Sequence, residues 1–239
     1  MQAKEKFKTY ATVFDESTLR TLFKLSGQGY FDDLKSPISV GKESNIFSAV
    51  KDGEERIAVK IYRVNNCDFH KMHQYLQGDS RFRGLTTNRR TIISVWAKRE
   101  FQNLLIARAA GIHAPTPYAV SQNVLVMSFI GLQGKAAPKL KDAEPQALKE
   151  FSQTLFNDMK TLHDHNLVHG DLSEYNILND QETPILIDFS HSVRLTYPGA
   201  RDFLLRDIAN VVRYFKSKGL PITIEEVTSF ITHGIPIRA

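Results

Sequence analysis

Asp171 is followed five positions later by Asn176, and a second Asp, Asp188, ends the apolar run Pro184-Ile-Leu-Ile187. One carboxylate that accepts or orients a hydroxyl proton, with an amide oxygen and a second carboxylate to hold magnesium against phosphates, is a set of groups suited to phosphoryl transfer. The string H-x-D-x-x-x-x-N also arises by chance in polar loops. The other parts of a nucleotide site must therefore be sought upstream.

Residues 36–62 read as strands. Ser36-Pro-Ile-Ser-Val40 leads into Gly41-Lys-Glu-Ser-Asn45, and Lys51-Asp-Gly-Glu-Glu55 separates two alternating runs, a hairpin signal. Lys60 sits inside the second run, where an unpaired ammonium would be costly. A nucleotide phosphate is one partner that would explain it; an outward-pointing lysine on an edge strand is the alternative. The loop from Val40 to Phe47 is neither G-x-G-x-x-G nor a Walker pattern, yet Gly41, Lys42, Ser44 and Asn45 offer donors suited to phosphate.

A helix is predicted from Thr91 to Ala110, stopped by Gly111. Glu100 lies in it, placed either to pair with Lys60 or to face solvent. Residues 115–130 read as two strands about Gln122-Asn123, and Gly131 to Lys141 as a linker. Glu144-Pro145 opens a helix with Leu148, Phe151, Leu155, Met159 and Leu162 on one face. A helix from Ala200 to Lys218 and a capped one from Thr223 follow. Before all of these, Asp15-Glu-Ser-Thr18 caps a short helix closed by Gly27 and Gly29, read as packing or, as the alternative, a partner surface.

At 239 residues the chain suits one domain of two lobes or two small domains. No apolar run approaches the ~20 residues of a membrane span, and the single cysteine, Cys67, excludes an internal disulfide. Both agree with a cytoplasmic protein. The net charge of +5 is concentrated: Arg81 to Arg99 holds six Lys/Arg and no acid. Such a stretch suits RNA or a solvated helix face. His70 and His73 invite a zinc reading, but no further ligand completes a tetrahedral set. Gly78 to Asn88 reads as a mobile loop.

Loop 40–45, Lys60, Glu100, Asp171 with Asn176, and Asp188 stand in the order of protein-kinase-like phosphoryl transfer. The chain resembles the RIO atypical serine/threonine protein kinases, and within them the RIO-one branch. Ser39-Val-Gly-Lys-Glu-Ser-Asn-Ile-Phe47, Ala58-Val-Lys-Ile-Tyr-Arg63, Val168-His-Gly-Asp-Leu-Ser-Glu-Tyr-Asn176 and Ile187-Asp-Phe-Ser-His-Ser-Val193 carry the match. Asp15 through Tyr30 and Trp96-Ala-Lys-Arg-Glu-Phe101 extend it over nearly the whole chain.

The resemblance implies an α+β, trimmed two-lobe protein-kinase-like fold. It would comprise an N-terminal helical extension (1–35), a β-rich N-lobe (36–130) and a mostly helical C-lobe (131–239). It implies ATP with magnesium, or manganese in its place. Asp171 and Asp188 would be catalytic, and Asn176 and Asp188 would bind the metal. The cofactor-binding set would be Val40, Lys42, Ser44, Lys60, Glu100, Met127, Ser128, Ile130 and Glu174, with the backbone of Ser128 and Ile130 meeting adenine. A phosphoaspartate at Asp188 would suit an ATPase-driven switch.

Phe189-Ser190 replaces the usual Phe-Gly, no Ala-Pro-Glu motif follows, and 51 residues after Asp188 are few for a peptide-binding region. The lack of long charged tails suggests an archaeal version. The implied partners are a protein substrate including the chain itself, and a small-ribosomal-subunit precursor with its RNA. Three readings follow: an autophosphorylating kinase in small-subunit maturation, an ATP-gated assembly factor, or a small-molecule kinase of the aminoglycoside type.

Overall fold

The computed structural model describes residues 14–64, 67–82, 84, 88–235 and 237. By packing, the chain forms two units, Met1–Phe101 with Thr116–Ala136 and Gln102–Pro115 with Ala137–Ala239. The start of the helical extension, residues 1–13, lies outside the described residues.

In the first unit, helix α1 (Glu16–Gly27) is capped by Asp15, whose carboxylate accepts from Thr18 N at 2.8 Å. Strands β1 (Asp33–Val40), β2 (Ser44–Lys51), β3 (Glu54–Tyr62), β4 (Pro117–Ser121) and β5 (Val124–Ser128) form an antiparallel sheet in the order β1-β2-β3-β5-β4. Asp52 and Gly53 both take positive φ, 53° and 82°, as a two-residue turn matched to the twist of β2 and β3 requires.

The period-two alternation of β3 divides its labour. Ile57, Val59 and Ile61 are buried in one cluster with Leu22 and Leu25 of α1, Phe31, and Val124 and Val126 of β5. Each fully buried aliphatic side chain there contributes about 2 kcal/mol. The intervening residues, Ala58, Lys60 and Tyr62, point to the other face. There Tyr62 joins Met72 and Leu76 of α2 (Phe69–Gly78) and Ile92, Ile93 and Trp96 of α3 (Arg89–Ala109). Lys60 is thus in a central strand and 2% exposed, which excludes the edge-strand reading.

Three local departures from the sequence reading have physical causes. Asp68 caps α2 by accepting from Lys71 N at 3.1 Å, and Met72 and Leu76, one turn apart, bury its face. Within the segment read as a mobile loop, Gly78 to Asn88, Ser80–Phe82 form a 3-10 turn pinned by buried Asp79, which bonds Arg81 at 2.6 Å and Arg99 at 3.1 Å; residues 83 and 85–87 of that segment lie outside the described residues. Burial would raise the Asp79 pKa, but the Arg81 hydrogen bond and the charges of Arg81 and Arg99 hold it below the ordinary carboxylate range. The 131–141 linker contains a small hairpin of β6 (Gly131–Leu132) and β7 (Lys135–Ala136).

In the second unit, α4 (Leu148–Asp164), α5 (Ala200–Ser217) and α6 (Ile224–His233) pack around Phe151, Phe156 and Phe215, whose rings meet at 6.4 and 5.9 Å. Helix α4 begins three residues after Pro145, because Ala147 is its cap and donates its N–H to Glu182 at 3.0 Å. Thr223 and Glu226 form the expected capping box of α6. Two ribbons complete the unit: β8 (Leu167–Val168) with β11 (Val193–Arg194), and β9 (Ile177–Asp180) with β10 (Thr183–Leu186). None of the helices is long and apolar enough to cross a membrane among the described residues.

Candidate active site

The first unit contributes a buried ion pair. Lys60 Nζ lies 2.8 Å from Glu100 Oε1, with the two side chains 3% and 1% exposed. Tyr62 donates its hydroxyl hydrogen to Glu100 Oε2. The turn between β1 and β2 stands at the end of this sheet: Gly41 N donates to Ser44 O at 2.9 Å, and a Cβ on Gly41 would approach that oxygen to 3.1 Å. Arg63 holds the turn from β3, its guanidinium on Gly41 O at 3.2 Å and its N–H on Glu43 O at 2.8 Å. Val40 and Lys42 are exposed at the turn and Ser44 is half-buried.

At the far end of β5, Met127 is buried, while Ser128 and Ile130 are half-buried. Ser128 is tied across to the residue before β4, donating N–H to Thr116 O and accepting Thr116 N–H on Oγ, both at 2.8 Å.

The second unit contributes the loop that carries Asp171. Gly170 has φ 81°, and a Cβ there would fall 2.6 Å from His191 O, so only glycine fits. His169 lies against the Phe189 ring with Nε2 3.0 Å from Ile187 O. Helix α5 grips the backbone on both sides of Asp171. Asp207 accepts from Gly170 N at 2.7 Å and Leu172 N at 2.9 Å, Arg206 donates to Gly170 O, and Asn210 donates to Leu172 O at 3.1 Å. Burial pushes the Asp207 pKa up to about 7, against the two backbone N–H groups and the Arg206 charge that favour its anion; the Asp171 charge adds to the rise.

Asp171 itself is exposed. Asn176 Nδ2 donates to Asp171 O at 2.8 Å and to Asp171 Oδ2 at 3.1 Å. That use of the amide nitrogen leaves Asn176 its oxygen as the group suited to a cation. Glu174, half-buried, accepts Lys141 N–H on its carbonyl at 3.1 Å. Asp188 follows β10 with φ 63° and ψ 65°, a left-handed conformation that costs a non-glycine residue about 1–2 kcal/mol. Ser190 Oγ donates to Asp188 Oδ1 at 2.7 Å, and Asn103 Nδ2 donates to Phe189 O and Ser192 O at 2.9 and 3.0 Å, fixing the turn. Among the described residues no three His, Cys, Asp or Glu side chains gather into a metal cluster. The oxygen donors of Asn176 and Asp188 suit a hard cation completed by phosphate oxygens.

The structure brings Lys60 to Glu100, and Asn176 to Asp171. It spends much of the basic stretch internally: Arg99 and Arg81 bind Asp79, Arg89 lies 4.5 Å over the Phe69 ring, and Arg90 reaches Asp15 at 3.3 Å. Lys98 is exposed, and Arg83 lies outside the described residues. Sequence reading missed Tyr62, Asn103 and the α5 grip. Asp207 carried a signal, since it falls between Leu204 and Val211 on the apolar face of its helix, where an acid is out of place.

Residues 45–227 match the RIO domain family. The chain is 41% identical over 229 residues to the RIO-type serine/threonine-protein kinase Rio1 of Methanocaldococcus jannaschii, covering 95% of this chain and 78% of that one. It is 36% identical over 228 residues to the Rio1 of Haloferax volcanii, covering 95% and 79%. Its fold is that of the Rio2 kinase of Chaetomium thermophilum, solved as an ADP/Mg2+-phosphoaspartate complex: the TM-score is 0.68 at 24% identity, over 92% of this chain and 68% of that one. The chain belongs to the RIO family of serine/threonine-protein kinases, in its Rio1 branch.

Proposed function

We propose that the chain transfers the γ-phosphoryl group of magnesium-bound ATP to serine or threonine hydroxyls, its own among them. The carrying observation is the buried Lys60–Glu100 pair. Burying both charges is weakly stabilising at best, so packing gives no reason for it; orienting a lysine toward nucleotide phosphates does. In this reading the first unit supplies Lys60, held by Glu100, and the turn residues Val40, Lys42 and Ser44 for the phosphates. Met127, Ser128 and Ile130 serve the adenine. Because Ser128 N–H is committed to Thr116, its adenine contact falls to the carbonyl.

The second unit supplies Asp171, Glu174, Asn176 and Asp188. The acceptor hydroxyl oxygen attacks the γ-phosphorus, the bond to the β–γ bridging oxygen breaks, ADP leaves, and the hydroxyl proton passes to the Asp171 carboxylate. Asn176 and Asp188 would hold magnesium, which when bound would supply charge neutralisation on the phosphates. Membership of the Rio1 branch favours a role in small ribosomal subunit maturation, and it leaves no support for the small-molecule kinase alternative.

Two features of Asp188 favour a second output. Its left-handed backbone is held from several sides, and Ser190 binds one of its oxygens. We infer that the Asp188 carboxylate can itself attack the γ-phosphorus, releasing ADP, and that water then cleaves the acyl phosphate. That cycle would drive an ATP-gated assembly factor.

Incubation with labelled ATP and magnesium, followed by mapping of the label, tests both. Acid-stable phosphoserine or phosphothreonine supports transfer to protein, and hydroxylamine-labile label at Asp188 supports the switch. Asp171→Asn should lower transfer about 100- to 10,000-fold with nucleotide binding retained; undiminished transfer would overturn the assignment.

A further inference from the structure

Lys60 and Tyr62 are two positions apart on β3 and so project from the same face of the strand. Across from them stands Glu100 of α3. One of its oxygens takes Lys60 Nζ at 2.8 Å and the other takes the Tyr62 hydroxyl. The triangle closes on its third side, with Lys60 Nζ 5.1 Å from the centre of the Tyr62 ring. All three residues are 2% exposed or less.

The chemistry of the three groups is unequal. A carboxylate on a long side chain turns easily about its last torsion, which is broad and roughly two-fold. With lysine as its only partner it could present either oxygen, or both, and draw the ammonium along with it. A neutral hydroxyl on the second oxygen fixes that rotation and adds no charge. It also leaves the first oxygen to lysine, so Glu100 meets the ammonium with one defined oxygen.

We propose that Tyr62 is a positioning residue for phosphate recognition: by holding Glu100 Oε2 it fixes the orientation in which Glu100 presents Lys60 to the nucleotide. The proposal rests on the assignment of Lys60 to the nucleotide phosphates. Tyr62 does not touch substrate; it acts through Glu100.

The test is Tyr62→Phe, which keeps the ring, its packing and its contact with Lys60 and removes only the hydroxyl. The readout is equilibrium binding of ATP–magnesium and of adenosine to the full chain. Loss of a hydrogen bond to a buried charged group should weaken ATP–magnesium about tenfold and leave adenosine unchanged. A purely structural role would move both together, or neither. In a Lys60→Met background the hydroxyl has no ammonium to direct, so adding Tyr62→Phe should change ATP affinity no further.

Equal loss for ATP and adenosine, no loss for either, or an undiminished effect in the Lys60→Met background would each overturn the proposal. If Lys60→Met alone leaves ATP affinity intact, the nucleotide-site assignment itself has failed; if Lys60→Met weakens ATP and Tyr62→Phe does not, only the role of Tyr62 has. Should Tyr62→Phe not fold, the wild-type protein still decides. The Tyr62 hydroxyl proton, followed by NMR, should shift on adding a non-hydrolysable ATP analogue with magnesium and stay in place on adding adenosine; an identical response to both would refute the role.

Discussion

Replacing Asp207 by asparagine separates two accounts of how α5 holds the loop that carries Asp171. Asp207 is 2% exposed, and burial raises its pKa to about 7 from an ordinary 3.8. The unfolded chain therefore releases this proton near pH 4 and the folded chain near pH 7. In the interval between, the native state binds more protons, so this group makes stability fall as pH rises, and the loss is complete above about pH 7. Three pKa units correspond to about 4 kcal/mol over that window.

The amide that D207N introduces would carry no such dependence. Its oxygen keeps one of the two backbone N–H bonds, while its NH2 faces the other, at a cost of about 1–3 kcal/mol. Urea unfolding of both proteins at pH 5, 6, 7 and 8 should therefore show D207N the less stable at pH 5, with the gap closing or reversing by pH 8. Transfer activity should stay depressed at every pH, because one anchor beside Asp171 is lost throughout. A gap that stayed constant or widened with pH would refute the reasoning, since it would mean that the anion is the stable native form and the two N–H bonds outweigh burial.

Two further substitutions test features of the fold. Gly170→Ala places a Cβ 2.6 Å from His191 O in a residue at φ 81°, and it should lower transfer about 100-fold, measured as single-turnover label incorporation, by displacing the adjacent Asp171. Asp79→Ala leaves the fully buried Arg99 without its carboxylate and should destabilise the protein by about 3–5 kcal/mol in denaturant titration. Asp79 has a folded pKa held low, so its contribution is present above the ordinary carboxylate pKa and is lost as pH falls through the lower folded value. The destabilisation by Asp79→Ala should accordingly shrink in acid.

What could be read from the sequence divides along the range of each interaction. The Asp171–Asn176 contact is local, five residues apart, and the hairpin from β2 to β3 follows from one Asp-Gly pair. Lys60 announced itself as a charge in an apolar strand, and the helix that follows offered Glu100 as its acid, 40 residues on. Pairings with no such local oddity stayed hidden. The carboxylate of Asp207 meets Gly170 across 37 residues, and the hydroxyl of Tyr62 meets Glu100 across 38. Tyrosine in a strand is ordinary, so nothing in its surroundings marked the hydroxyl as engaged. Helix α2 escaped because only Met72 and Leu76 bury its face, too few to set a period among polar neighbours. The basic stretch misled for the opposite reason: its charges were plain, but their acids, Asp15 and Asp79, stand outside it.

One of the two edge strands of the first unit, β1, has a consequence for how this protein behaves in concentrated solution. Along β1 the pairing with β2 slips twice, on either side of Pro37, which has no N–H to offer, and Lys35 and Ser36 beside it are exposed. An open sheet edge is a template on which another chain can add a strand and begin aggregation. Here the interrupted ladder, the proline and the neighbouring Asp33 and Lys35 charges leave no straight run of donors and acceptors for a newcomer to match. The edge is kept irregular where an unbroken one would be self-adhesive.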